Sequence, residues 1–393
     1  MGNLSMQFSL TDDQILIRDS AREFMLERCG TQQLRHDMQR AENYDPDLWR
    51  TIAQELGWAG LSLPEAVGGS GLGMVELAIV LEEQGRCLYG GPLLASAGLA
   101  SAVLLECPKT EQRDAVLEKL STGDGIAALA VTDDRGISGL SAISATLRQD
   151  EQGIRLDGIA AFVLNGHAAN MFVVAARDMR PGRSGFAIIA LPATAAGLTI
   201  EKKLAMDLTR PYARLVMDGI RDAAVLIDDE GQCLERGLQI AQVALAAEQL
   251  GSMQAVMDLT TSYVSQRVQF GRPIGSFQAV KHRLADMMVI CEAARSAVYY
   301  AACVVDEYRE APDAHAQELA EAAALVKVHC SAGFHDVAGN AIQLHGGIGF
   351  TWEYDAQLFF KRARATSNLL GAPTVHRERI AELMGLNGTE GAA

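Results

Sequence analysis

Apolar positions recur along this chain with two different periods, and the change of period divides it into three parts. Over residues 1–125 the spacing is helical. Thr11-Asp12-Asp13-Gln14 places the hydroxyl and amide of a capping box three residues apart, and Ile15, Ile17, Ala21, Phe24 and Met25 follow along a helical stripe. Asp45-Pro46-Asp47 opens another helix, carrying Trp49, Ile52, Ala53 and Leu56. A glycine loop, Gly68-Gly69-Ser70-Gly71-Leu72-Gly73, then leads into a helix over 75–84. Between 126 and 228 the helical period gives way to short apolar or alternating runs at 127–131, 142–147, 154–156, 172–176, 186–191, 198–201 and 213–217. Turn signals such as Asp157-Gly158 separate them, which predicts an antiparallel β module, barrel or sandwich. From 229 to 393 the helical period returns in long Ala-rich stretches at 234–265, 277–306, 314–344 and 354–368, the pattern of an antiparallel four-helix bundle. The predicted class is α+β, in the order α, β, α.

Composition narrows the function classes. The 393 residues are 49% hydrophobic and 21% charged, enough to bury a large core without disulfide or metal staples. With 34 basic and 49 acidic residues the formal charge is −15, which argues against nucleic acid as a partner and requires any anionic ligand to find a local basic patch. The seven cysteines form no C-x-x-C pair and read as free thiols in a reducing compartment. No ligand spacing for zinc occurs, so no metal site is expected. Residues 1–6 carry neither a basic signal region nor a myristoylation pattern, and the apolar stretches 240–250 and 322–328 are too short to span a bilayer; a cytosolic protein is expected. The glycine loop misses a dinucleotide fingerprint, because Met74 stands at its last position.

Two stretches carry candidate chemistry. In Arg267-Val268-Gln269-Phe270-Gly271 a guanidinium, an amide and a phenyl ring are packed into four residues where one helix ends. Arg binds phosphate in two-pronged fashion, Gln both donates and accepts, and Phe offers a stacking face. In Gln343-Leu344-His345-Gly346-Gly347-Ile348-Gly349-Phe350, glycines after a helix allow close approach of a ligand to the backbone. On composition alone, both stretches could equally be structural turns.

In this order and spacing the two stretches resemble the acyl-CoA dehydrogenase family, and Thr11–Gln14 and Leu63-Pro64-Glu65 with Gly68-Gly69 look like that family's N-terminal signals. The resemblance covers nearly the whole chain. It implies FAD held between the β domain and the bundle, with Arg267, Gln269 and Phe270 reaching a neighbouring protomer's FAD across a dimer interface. Gln343, Gly346 and Gly347 would line the pyrophosphate. His345 would hydrogen-bond near the phosphates or merely pack. Thr132 would bond the flavin ring and Phe162 cover one face of it. The implied activity is α,β-dehydrogenation of an acyl-CoA thioester: a carboxylate takes the α-proton, and the β-hydrogen leaves as hydride to flavin N5. The thioester oxygen would be held by a backbone N–H and a ribityl hydroxyl. An electron-transfer flavoprotein would reoxidise the flavin, and a homo-oligomer or heterotetramer is implied.

The chain also departs from the family pattern. The usual base position falls on Leu370, followed by Gly371, and the alternative position on the first bundle helix falls on Ala241. Glu248, on the otherwise apolar stretch 243–250, is the candidate base, burial being expected to raise its proton affinity; the alternative is a Glu paired with an Arg inside the bundle. Glu353 is a second carboxylate, better read as a structural cap. The flavin loop of the β domain keeps Thr132 but little else, and Leu164 stands where a hydroxyl is usual. These losses point to a non-catalytic or half-site subunit of a hetero-oligomer, or to a relative using oxygen, as alternatives. Lys361, Arg362 and Arg364 form a basic cluster, read either as a field for phosphates or as surface charge.

Overall fold

The computed structural model describes residues 9–229 and 231–386; the N-terminal Met1–Met6 and the tail from Asn387 to Ala393 lie outside the described residues. Helix α1 (Asp12–Arg28) opens on the expected capping box: Thr11 Oγ1 accepts from the Gln14 N–H at 3.2 Å, and Gln14 Oε1 accepts from the Thr11 N–H at 3.0 Å. Helices α2 (Thr31–Asp37), α3 (Pro46–Arg50), α4 (Met74–Arg86), α5 (Ser101–Glu106) and α6 (Glu111–Ser121) complete the N-terminal part. A π-helical turn, Leu94–Ala100, leads into α5 and is buried throughout.

Eight strands follow: β1 (Ala127–Ala130), β2 (Thr146–Asp150), β3 (Gly153–Leu164), β4 (Met171–Asp178), β5 (Phe186–Pro192), β6 (Leu198–Lys203), β7 (Tyr212–Ile220) and β8 (Ala224–Asp229). They form one sheet in the order β6-β7-β3-β2-β4-β5-β8, with β1 joined to β4. The expectation of a wholly antiparallel module is corrected here. β1 and β2 both run parallel to β4, because β1 enters straight from α6 and its chain reaches β4 only after the β2–β3 hairpin. β8 has no counterpart among the expected strands; its Ala-Val-Leu-Ile run lacks alternation and follows the polar Arg221-Asp222.

The C-terminal part contains α7 (Gln232–Gln266), a tight hairpin of β9 (Val268–Gln269) and β10 (Arg272–Pro273), α8 (Gln278–Glu310), α9 (Pro312–His345), α10 (Ala356–Ser367) and α11 (Pro373–Leu383). α7, α8 and α9 pack along their lengths, and α10 and α11 lie against α9. α8 is the one helix among the described residues long and apolar enough, by composition, to cross a membrane; it is packed here against α7 and α9. The apolar pattern predicts no separate helix over α11, since its His-Arg-Glu-Arg sequence shows little apolar periodicity.

The N-terminal helices dock on the bundle through reciprocal glycines. A Cβ on Gly85 of α4 would lie 2.0 Å from the Glu248 carbonyl of α7, and one on Gly251 would lie 1.8 Å from the Glu82 carbonyl. The two backbones therefore touch, and no larger residue fits at either place. Asp306 of α8 adds a second tie by accepting from the first N–H groups of α4, Met74 at 2.6 Å and Val75 at 3.2 Å.

Candidate functional site

The Arg267–Phe270 segment forms the β9–β10 hairpin. Phe270 and Gly271 at its tip both have positive φ, 52° and 77°, as a two-residue hairpin turn with matching twist requires. Arg267, Gln269 and Phe270 are all exposed, and the Phe270 ring is 91% accessible. Part of the hairpin's rigidity comes from Arg272, whose guanidinium lies 4.1 Å from the Phe277 ring centroid. The three side chains thus project from the bundle on a short rigid arm and do not pack into their own core.

The second motif ends α9. Gln343, Gly346 and Gly347 are exposed, and Gly346 takes φ 64° as it breaks the helix. A Cβ at either glycine would meet nothing within 4 Å, so the backbone there faces open space. His345 is buried and stacked on Tyr263, with ring centroids 4.3 Å apart. Its Nδ1 lies 2.8 Å from the Ala341 carbonyl, which only accepts; Nδ1 therefore carries the proton. Nε2 is left as a buried acceptor with no partner among the described residues. Burial lowers the proton affinity of this imidazole, so beside a ligand it would accept a hydrogen bond from a hydroxyl.

On the β domain, Thr132 is buried and its hydroxyl donates to the Ala161 carbonyl at 2.5 Å, leaving its oxygen free only to accept. Ala161 and Phe162 form a bulge in β3, where the register with β7 shifts between Ala160 and Val163 and Phe162 takes φ 53°. The bulge turns the Phe162 ring outward, half exposed, with Tyr212 edge-on at 6.0 Å.

Between the β domain and the bundle lies a cavity of about 260 Å³. Val131 and Ser138 border it on the sheet side, Leu238 and Gln242 come from α7, and Leu370 and His376 from the turn and helix after α10. Thr132 is adjacent in sequence to this wall. At its rim Arg379 bonds Glu235 at 3.0 Å and Glu382 at 3.3 Å.

Glu248 is elsewhere. It is 0% exposed, and its Oε1 accepts from Arg210 and, at 2.6 Å, from Arg362. Arg362 also donates to Asp207 at 2.9 Å, to the Leu88 carbonyl at 2.9 Å and to Thr209 Oγ1 at 2.7 Å. This buried network joins the N-terminal helices, the β domain and the bundle. Burial opposes the charge on Arg362, but Asp207 and Glu248 outweigh it and hold the guanidinium protonated. The apolar surroundings expected from the 243–250 run are thus interrupted by two guanidiniums from distant sequence. The reading of residues 361–364 as one basic cluster is likewise corrected: Arg364 is exposed, Lys361 lies over the Trp352 ring and Arg362 is fully buried. A signal was available, since Arg362 is four residues from both Leu358 and Thr366 and so shares their buried helix face. His376 and Arg210 had no comparable signal, and Glu353 is exposed.

These arrangements define a flavoenzyme scaffold, and the chain belongs to the acyl-CoA dehydrogenase family. The family's N-terminal domain matches residues 11–124 and its C-terminal domain residues 232–385. The acyl-CoA dehydrogenase IpdE2 of Mycolicibacterium smegmatis is 32% identical over 371 residues, covering 94% of this chain and 98% of that one. Among solved structures, the Tcur3481–Tcur3483 steroid ACAD variant is 30% identical with a TM-score of 0.84, over 95% of this chain and 98% of that one. The ChsE4–ChsE5 complex from Mycobacterium tuberculosis is 25% identical with a TM-score of 0.86, over 98% and 100%. The family is FAD-dependent, and the chain is an oxidoreductase of this type.

Proposed function

We propose that this chain oxidises an acyl-CoA thioester between Cα and Cβ within an assembly containing a second family chain. The observation that carries this reading is the cavity between β domain and bundle, next to Thr132 and walled by the Leu370–Gly371 turn. The residues present fit FAD. Gly346 and Gly347 offer open backbone, His345 Nε2 is a buried acceptor without a partner among the described residues, and the Arg267–Phe270 arm presents a cation, an amide and a ring to something outside its own protomer. Gln343, Gly346 and Gly347 would hold the diphosphate of one FAD, and Arg267, Gln269 and Phe270 that of a neighbouring chain. Bound FAD supplies the two-electron acceptor. Thr132 would accept a hydrogen bond from the ring system, and Phe162 would cover it. An electron-transfer flavoprotein is the expected reoxidant.

The cavity holds about 260 Å³, room for an acyl segment but not for a whole coenzyme A ester, whose nucleotide must lie outside it. The steroid and ChsE4–ChsE5 relatives support a bulky, ring-bearing acyl group and a heteromeric assembly. Anaerobic titration of the purified assembly with a panel of acyl-CoAs tests the reading: bleaching of the flavin by at least one of them is expected, and no bleaching by any would refute it. A second reading, a half-site subunit that completes another chain's FAD site without chemistry of its own, is favoured by two observations. Glu248 is held by two guanidiniums, and the turn at the cavity carries Leu370. Expressed alone, such a subunit would be colourless, and it would turn yellow only with its partner.

A further inference from the structure

Among the described residues lining the cavity, one buried group can take a proton. Glu235, Glu382 and Arg379 stand at its rim and are bonded to one another, and Glu378 beside them is exposed. His376 of α11 is different: it is only 8% exposed and lines the cavity beside Leu370. Its Nε2 lies 2.9 Å from the Leu370 carbonyl. A carbonyl only accepts, so Nε2 bears the proton and Nδ1 bears the lone pair. The local backbone is shaped to permit this contact. Leu370 and Gly371 take φ 59° and 105°, and a Cβ on Gly371 would come 2.6 Å from Nε2. The turn is therefore bent so that its carbonyl fixes one imidazole tautomer, at the expense of backbone positions that disfavour side chains.

We propose that His376 Nδ1 is the proton acceptor of this chain, taking the α-proton of an acyl thioester seated in the cavity; the proposal rests on the dehydrogenase reading above. In this step the Cα–H bond breaks, the proton goes to Nδ1, and the electron pair stays on the thioester as its enolate. No electron passes between molecules, and return of a solvent-exchanged proton regenerates the thioester. The Leu370 carbonyl, which accepts from Nε2–H, stabilises the imidazolium that forms. In the resting site burial lowers the proton affinity, the Leu370 carbonyl raises it, and Lys327 on α9 lowers it, so the ring is a neutral base at neutral pH. The other charged groups around the cavity are Glu235 on α7 and Glu378, Arg379 and Glu382 on α11.

The test is α-deuterium incorporation into acyl-CoA by the anaerobic FAD-loaded assembly in D₂O, read by mass spectrometry, with acyl-CoA binding measured separately by calorimetry. His376→Gln keeps an N–H donor toward Leu370 but has no basic nitrogen. It should bind acyl-CoA within about 3-fold of the native affinity and exchange about 10²–10⁴-fold more slowly. Native exchange should rise with pH, with a midpoint below the ordinary imidazole value, and this arm needs no variant to fold. Undiminished exchange by His376→Gln, or a native profile flat from about pH 5 to 8, overturns the proposal while leaving the dehydrogenase reading intact. Failure of the native assembly to bind any acyl-CoA overturns both.

Discussion

Glu248 gives the sharpest quantitative test of how the three parts are held together. Replacing it by Gln keeps the shape and one acceptor oxygen but removes the charge facing Arg210 and Arg362. Both guanidiniums are buried, and among the described residues Arg362 retains only Asp207 as a counter-charge. Leaving such a charge uncompensated costs about 3–5 kcal/mol. At roughly 2–4 °C per kcal/mol for a large domain, the melting temperature should fall by about 6–20 °C. The assay is thermal unfolding by circular dichroism of wild type, E248Q, R210Q and the double variant. Coupling should show as a double variant less destabilised than the sum of the singles. An account with Glu248 as base predicts the opposite pattern: an unchanged melting temperature and a lost flavin reduction. E248Q melting within about 1 °C of wild type would refute the clamp.

Lys327 is buried on α9, donates to Ser331 Oγ at 2.8 Å and to the Ser367 carbonyl at 2.9 Å, and burial lowers its pKa to about 7. The unfolded chain holds that proton up to about pH 10.4. Between these values the unfolded state binds more protons, so wild type should gain stability relative to K327M as pH rises from 7 to 10; urea titrations at several pH values showing a constant difference would contradict this. Phe270→Ala removes an exposed ring, so unfolding of the isolated chain should shift by less than about 0.5 kcal/mol, while flavin content and assembly size fall in gel filtration. Gly371→Ala forces a Cβ at φ 105° against His376, and should cost at least about 1 kcal/mol and alter the imidazole resonances in NMR.

The α–β–α order, the capping box at Thr11 and the two C-terminal motifs were legible because each depends on local spacing. Period, cap residues and glycines act within a few positions of themselves. The parallel pairing of β1 with β4 was not legible, since it depends on which distant strand fills the sheet. For Glu248 the sequence leaves two readings open, a base in apolar surroundings or a Glu paired with an Arg; the structure shows the pairing, and the partners Arg210 and Arg362 are not legible because they lie 38 and 114 residues away in sequence. α11 is not legible in the sequence because its contacts rest on a few apolar positions among charges. His376 belongs to no motif in the sequence, although its ring reaches the cavity wall.

The proposed chemistry requires this chain to present and receive flavin contacts across an interface. The most direct measurement is the visible spectrum and flavin-to-protein ratio of the purified assembly, with any companion chain present, for wild type and R267A. The expected result is a bound flavin spectrum in the wild-type assembly, lost or much weakened in R267A. A wild-type assembly that stays colourless in excess FAD would contradict it.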